Sequence, residues 1–223
     1  MAHHYSPKVS SDGLVLALDM GNPKSYPGSG TSWYDLSPSS LGATLTNGAA
    51  YSSNNSGVAY FDTTDDYAAI ASSNAFAFGT GDFALDVWIY PTQLSNTYTH
   101  MLALPEQNTF ALKAEVNTGN IYFYSSAFTT YGSTSGWTLT QNAWNHVVLV
   151  RASSVAYAYL NGEAKGSKSG FTNSFSAQVL NIHNGFGSEF AEAYMGPIKI
   201  YNRALSALEV FLNFEAHRSR FGL

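Results

Sequence analysis

Cysteine is absent from the 223 residues, which excludes disulfide bridges and thiolate metal sites. Charge is scarce as well. Asp, Glu, Lys and Arg make up 11% of the chain, well under the usual share of about 25%. Long bundles of surface helices, rich in Glu, Lys and Arg, are therefore not expected. There is no long basic run and the net charge is −5, which argues against nucleic acid as a partner. No apolar stretch approaches the roughly 18 residues of a membrane span, so a membrane partner is not expected either. The first ten residues hold no apolar core of the kind an export signal needs, and the expectation is a chain made in a cytoplasm without a signal peptide.

What is present is a core former with a neutral polar surface. Hydrophobic residues reach 45% and aromatics 15%, beside 28 Ser, 17 Thr and 17 Asn. Such aromatic content is incompatible with a disordered chain. Phe83 to Tyr90 alternates, placing Phe83, Leu85, Val87 and Ile89 on one face before Pro91 ends the run, as a half-buried strand requires. Val155, Tyr157 and Tyr159 alternate with Ala156, Ala158 and Leu160, and Asn161-Gly162 follows as a two-residue hairpin turn, which needs φ > 0 at both positions. Asn47-Gly48 carries the same signal. About a dozen short strands divided by turns predict a single all-β domain, a two-sheet antiparallel sandwich. One short C-terminal helix is expected from about residue 207 to 213. Ser206 and Glu209 have capping-box spacing, and Leu205, Leu208, Phe211 and Leu212 form its expected packing face. The division is an N-terminal arm at 1–11, the domain at 12–213 and a C-terminal tail at 214–223.

Five motifs stand in order: Phe61-Asp-Thr-Thr-Asp-Asp-Tyr67, Phe83 to Pro91, Trp144-Asn-His-Val-Val-Leu-Val-Arg151, Tyr159-Leu-Asn-Gly162 and Ile200-Tyr-Asn-Arg-Ala-Leu-Ser206. Together they resemble the concanavalin A-like, laminin-G-like jelly-roll domains. The segment from Ser11 to Pro27 and the ending from Phe211 to Leu223 are similar to a subgroup found in virion proteins of tailed bacteriophages. The resemblance implies a non-enzymatic structural protein at the virion surface, a capsid decoration protein, with other virion proteins of capsid or tail as partners. The alternative is a glycan-binding module of a tail or fibre that contacts host-surface glycan. One loop departs from the family: Pro38 to Gly42 offers fewer amide side chains than relatives have there.

Candidate chemistry is sparse. Glycosidases of this fold carry a Glu-x-Asp-x-x-Glu arrangement that does not occur here, and Asp86 finds no second carboxylate on its strand for a two-carboxylate mechanism. No catalytic residue and no resident cofactor is expected, apart from calcium. Asp62, Asp65 and Asp66 lie within five positions. They either hold calcium, a hard ion that takes oxygen ligands, or bond turn backbone N–H groups as Asx turns do. His146 lies beside Trp144 in an apolar strand and reads as a hydrogen-bonded structural residue. Trp33, Trp88 and Trp144 read as core. Tyr98, Tyr131, Trp137 and Phe186 lie in loop-like segments and are the candidates for stacking on sugar rings. Particle attachment falls to the termini: Tyr5 and Val9 in the arm, Arg218 and Arg220 in a cationic tail.

Overall fold

The structure, a computed structural model, describes residues 7–92, 98–104, 110–115, 118–125, 137–184 and 190–223. Fifteen strands lie within those residues. The first six are β1 (Leu14–Leu18), β2 (Ser32–Trp33), β3 (Ala43–Thr46), β4 (Ala50–Ser52), β5 (Val58–Phe61) and β6 (Tyr67–Ser73). The middle of the chain supplies β7 (Phe83–Pro91), β8 (Tyr98–Leu104), β9 (Phe110–Glu115) and β10 (Ile121–Tyr124). Then come β11 (Asn145–Ala152), β12 (Val155–Leu160), β13 (Glu163–Ser169), β14 (Gln178–Ile182) and β15 (Ala193–Tyr201), before the helix α1 (Ala207–Glu215).

The strands form two antiparallel sheets, as the alternating patterns require. One sheet runs β13-β12-β11-β7-β15-β5-β4, with β1 also paired to β15. The other runs β10-β9-β8-β14-β6-β3-β2. Phe83, Leu85, Val87 and Ile89 enter the core between the sheets, together with Val147, Leu149, Leu102, Leu112 and Ile182. Two strands divide the length of one edge of β15: β5 pairs with residues 193–195 and β1 with residues 198–201. The Asn161-Gly162 turn forms as expected, with φ of 52° and 79°, and it joins β12 to β13. Arg151 is fully buried at one end of the sandwich. Its guanidinium donates to the carbonyls of Gly79, Gly81 and Asn173 and faces the rings of Phe83, Phe171 and Phe175.

The ends of the chain depart from the expected arm and tail. Helix α1 has its capping box on Ser206 and Glu209, but its buried residues are Val210, Asn213 and Phe214. Leu208 and Phe211 of the expected packing face are 65% and 45% exposed. The rotation has a polar cause. Asp86 is buried on the outer face of the first sheet, and Asn213 Nδ2 donates to its Oδ2 at 2.8 Å, which only the observed helix face allows. His146 Nε2 lies 3.1 Å from Asp86 Oδ1 and Lys199 Nζ 3.5 Å. Burial alone would push the Asp86 carboxyl up, but Lys199 and His146 outweigh it and hold it well below the usual carboxylate range. Residues 214–223 are packed structure rather than a tail. Phe214 and Phe221 are buried, and Phe221 stacks on Trp88 with ring centres 4.5 Å apart. The arm is likewise tied down by its last residues, since Ser10 N donates to Asn213 Oδ1 and Ser10 Oγ to Glu209 Oε1.

Candidate functional site

The outer face of the first sheet is divided. Along one part α1 and the turn at 218–221 cover Ala84, Asp86 and Trp88. The other part stays open. There Tyr90 of β7, Tyr194 of β15 and Tyr60 of β5 lie side by side, because Tyr194 pairs in register with both Tyr90 and Tyr60. Asn145 pairs with Ile89, which sets Trp144 next to Tyr90. The ring centres follow one another at 5.6 Å (Trp144 to Tyr90), 6.1 Å (Tyr90 to Tyr194) and 5.1 Å (Tyr194 to Tyr60).

A cleft of about 370 Å³ opens between these rings, walled by Tyr90, Trp144 and Tyr194 and rimmed by Asn54, Asn55, Thr92 and Asn142. The amide of Asn55 is a buttress. Its Oδ1 accepts the Trp144 indole N–H at 3.1 Å and its Nδ2 donates to the Arg220 carbonyl. Asn54 and Asn142 lie at the exposed rim, where each offers an amide donor and an amide acceptor. Their backbone supports this placement, since Asn142 adopts φ 55° and donates its N–H to the Pro91 carbonyl. Among the described residues no carboxylate, lysine or arginine lines the cleft. Aromatic walls with a few placed polar groups are the usual composition of a small-ligand site.

Of the residues expected to stack on sugars, the two described ones, Tyr98 and Trp137, are not brought together. Tyr98 is the first residue of β8, in the other sheet, and the Lys113 ammonium sits 3.4 Å from its ring centre. Trp137 is fully buried in the core, where its indole N–H donates to the Tyr159 carbonyl. It is closed to any ligand, although the sequence placed it in an exposed loop. Tyr131 and Phe186 lie outside the described residues. The chain signal that pointed to the actual cleft was present but faint: Tyr90 is on the outward phase of β7, and Trp144 follows Ala143 just before a strand. Trp144 is indeed buried, as are Trp33 and Trp88, yet its edge serves the cleft wall.

Of the terminal candidates, Arg220 is tied into the fold. Arg220 does not project. Its Nη1 bonds both oxygens of Asp19 at 2.8 and 2.9 Å, and the guanidinium also donates to the carbonyls of Asn55 and Gly57. Arg218 is 47% exposed and pairs with Glu215 one turn back. Val9 is half-buried and lines a depression of about 230 Å³ with Leu14, Leu36, Pro197 and His217. Tyr5 lies outside the described residues.

Asp62, Asp65 and Asp66 do converge. A carboxylate oxygen from each lies within 4.8 Å of the others. Asp62 Oδ1 accepts the Thr64 N–H and Asp66 Oδ2 accepts the Asp62 N–H, so two turn contacts of the expected kind are present. Asp66 is 2% exposed and its Oδ1 has no hydrogen-bond partner among the described residues. Burial raises the Asp66 carboxyl, the Asp62 backbone bond opposes this, and the charges of Asp62 and Asp65 add to the rise.

A two-sheet antiparallel sandwich with an aromatic, amide-rimmed cleft on one outer face is a lectin-like architecture. The chain belongs to the concanavalin A-like lectin/glucanases superfamily, whose family model matches residues 62–211. No curated protein matches its sequence. Among solved structures it is similar to the binding domain of Paraclostridial Mosquitocidal Protein 1, at 16% identity and TM-score 0.71 over 91% of this chain and 52% of that one. It is similar to the binding domain of botulinum neurotoxin serotype D at 14% identity and TM-score 0.72, over 92% and 52%. It is similar to Trypanosoma rangeli sialidase at 17% identity and TM-score 0.72, over 93% and 33%. The chain thus spans about half of each toxin domain and a third of the sialidase, and the likeness is one of fold.

Proposed function

We propose that the chain is a non-enzymatic carbohydrate-recognition module whose combining site is the Tyr90–Trp144–Tyr194 cleft. The observation that carries this reading is the convergence of aromatic walls with the rim amides of Asn54 and Asn142. Ring faces take the apolar faces of pyranoses, and amides satisfy hydroxyl pairs as donor and acceptor together. Glycoside hydrolysis needs two matched carboxyl groups across the scissile bond; none lines this cleft among the described residues, and Asp86 is sealed beneath α1. Two of the structural relatives are binding domains of toxins, which agrees with a recognition role. A glycan array is the test. Binding that Tyr90→Ala abolishes, with the melting temperature unchanged, supports the site; a silent array overturns it.

The finer reading places the module on the surface of a tailed-bacteriophage particle, as a capsid decoration protein or on the tail or fibre. It is supported by the likeness of residues 11–27 and 211–223 to that subgroup. Mass spectrometry of purified particles tests it. High copy number marks capsid decoration, a few copies mark tail or fibre, and absence from particles overturns the reading.

Asp62, Asp65 and Asp66 are proposed to hold calcium. Oxygens within 4.8 Å of one another suit ligand distances of about 2.3–2.6 Å to a shared ion, and the ion would partner the buried Asp66 Oδ1. Calcium that binds the folded state raises the melting temperature by mass action. Chelation is expected to lower it and added calcium to restore it. A melting curve indifferent to both leaves the three residues as turn ligands.

A further inference from the structure

The cleft has a neighbour. On the far side of Tyr194 a second depression of about 360 Å³ is lined by Tyr51, Ser52, Ser53, Tyr60 and Tyr194. Tyr194 is the ridge shared by the two. We infer that both depressions form one groove that binds a single chain of neutral sugars, with consecutive residues seated on either side of Tyr194. This rests on the carbohydrate reading of the first cleft and specifies its ligand.

Three observations support it. The first is spacing. Tyr90, Tyr194 and Tyr60 come from neighbouring strands, whose separation is about 4.8 Å, Trp144 directly precedes the next strand, β11, and the ring centres advance by 5.1–6.1 Å. An extended pyranose chain advances by a comparable step per residue, so a chain crossing the strands meets a ring at each sugar. The second is tilt. Successive rings are inclined by 59°, 73° and 46°. They offer no flat platform for a crystalline polymer face, but they suit one chain that turns from residue to residue. The third is charge. Among the described residues neither depression is lined by lysine or arginine, and the Glu192 carboxylate accepts the Tyr60 hydroxyl at 3.0 Å. Burial, and then that bond, push the Tyr60 phenol up to about 12. An acidic protein with an uncharged groove and a carboxylate beside it disfavours sialylated, sulfated or uronic chains.

The second depression is open enough to be used. Ser53 is exposed and Tyr60 half-buried there, while Tyr51, in register with the core residue Ala59, turns its ring to the inner side and stacks on Tyr26 at 5.5 Å.

The test uses the full chain and neutral oligosaccharide ladders of glucose, N-acetylglucosamine, mannose, galactose and xylose. Each ladder runs from the single sugar to the hexasaccharide, with sialylated and sulfated glycans alongside. Affinity is expected to climb with chain length in the ladder that binds. Tyr60→Ala, which removes a wall, and Ser53→Trp, which plugs the second depression, should each weaken the long members about tenfold. Both should leave the single sugar as it was, while Tyr90→Ala weakens every member. If single sugar and hexasaccharide bind wild type equally, or neither second-depression variant affects the long members, the extended groove is overturned and the first cleft stands alone. Preference for sialylated or sulfated glycans overturns it too. If no member binds, or Tyr90→Ala changes nothing, the carbohydrate reading itself fails.

Discussion

Single residues fix the geometry at places where no other side chain fits. Gly162 has φ 79°, and a Cβ there would lie 2.9 Å from Phe214 Cδ1. It therefore serves both the hairpin and the seat of the C-terminal segment. Gly162→Val is expected to cost at least about 1–2 kcal/mol from the left-handed backbone alone, a fall of roughly 2–8 °C in melting temperature for a chain of this size. An unmoved melting curve contradicts that register. His183 is another such residue. It is buried with φ 68°, stacks on Phe61 at 4.8 Å, and its Nε2 donates to the Ala191 carbonyl at 2.5 Å. Burial is the main reason that its pKa falls from 6.5 to about 4. The folded state thus prefers the neutral ring. Between pH 6.5 and about 4 the unfolded chain binds the proton more readily, so stability is complete above 6.5 and drains away as the pH falls towards 4. The group accounts for roughly 3 kcal/mol over that window. Denaturant midpoints measured across it should decline, and His183→Asn should flatten the decline; parallel curves for the two proteins refute the assignment.

Among the elements, the C-terminal segment is a clamp rather than an appendage. Arg220 grips Asp19 and two carbonyls, and Phe221 enters the bulge of β15 where Gly196 leaves room: a Cβ at 196 would lie 2.8 Å from the Phe221 ring. Arg220→Ser is therefore expected to destabilise on the order of 2 kcal/mol, because it strands a half-buried carboxylate and several carbonyls. Arg218→Ser, which loses one exposed i,i+3 pair, should stay within about 0.5 kcal/mol. Equal effects in thermal melts would refute the clamp. The same elements show what was legible in the sequence. Strand β7, the hairpin at Asn161-Gly162 and the capping box at Ser206 follow from local pattern and turn chemistry, and they stand as read. The helix face did not follow, because it is set by Asp86 of a distant strand demanding an amide from Asn213. Trp137 misled because its polar Ser, Thr and Gly neighbours describe an exposed loop, while its burial comes from packing against β12. The cleft was hidden for a related reason. Tyr90, Trp144 and Tyr194 come from separate strands and the rim amides from separate loops, so only pairing register brings them together.

For the whole molecule, the order of the sheet differs from the order of the chain. β15 comes last in chain order among the fifteen strands, yet it lies between β7 on one side and β5 and β1 on the other. A nascent chain lacking residues 193–201 has two unpaired edges in mid-sheet, the arrangement that invites association with other chains. It also has no Tyr194, so neither the aromatic row nor the groove can exist. Closure of such distant pairs, Leu14 with Tyr201 among them, is slow in folding. Refolding is expected to be a late, concerted event in which Trp88 becomes buried together with formation of the last strand. Stopped-flow fluorescence that reported Trp88 burial in a chain ending before β15 would contradict this. Synthesis therefore works as a timer: the proposed binding surface comes into being only once residues 193–201 have emerged, so fragments ending before them carry exposed edges and no groove.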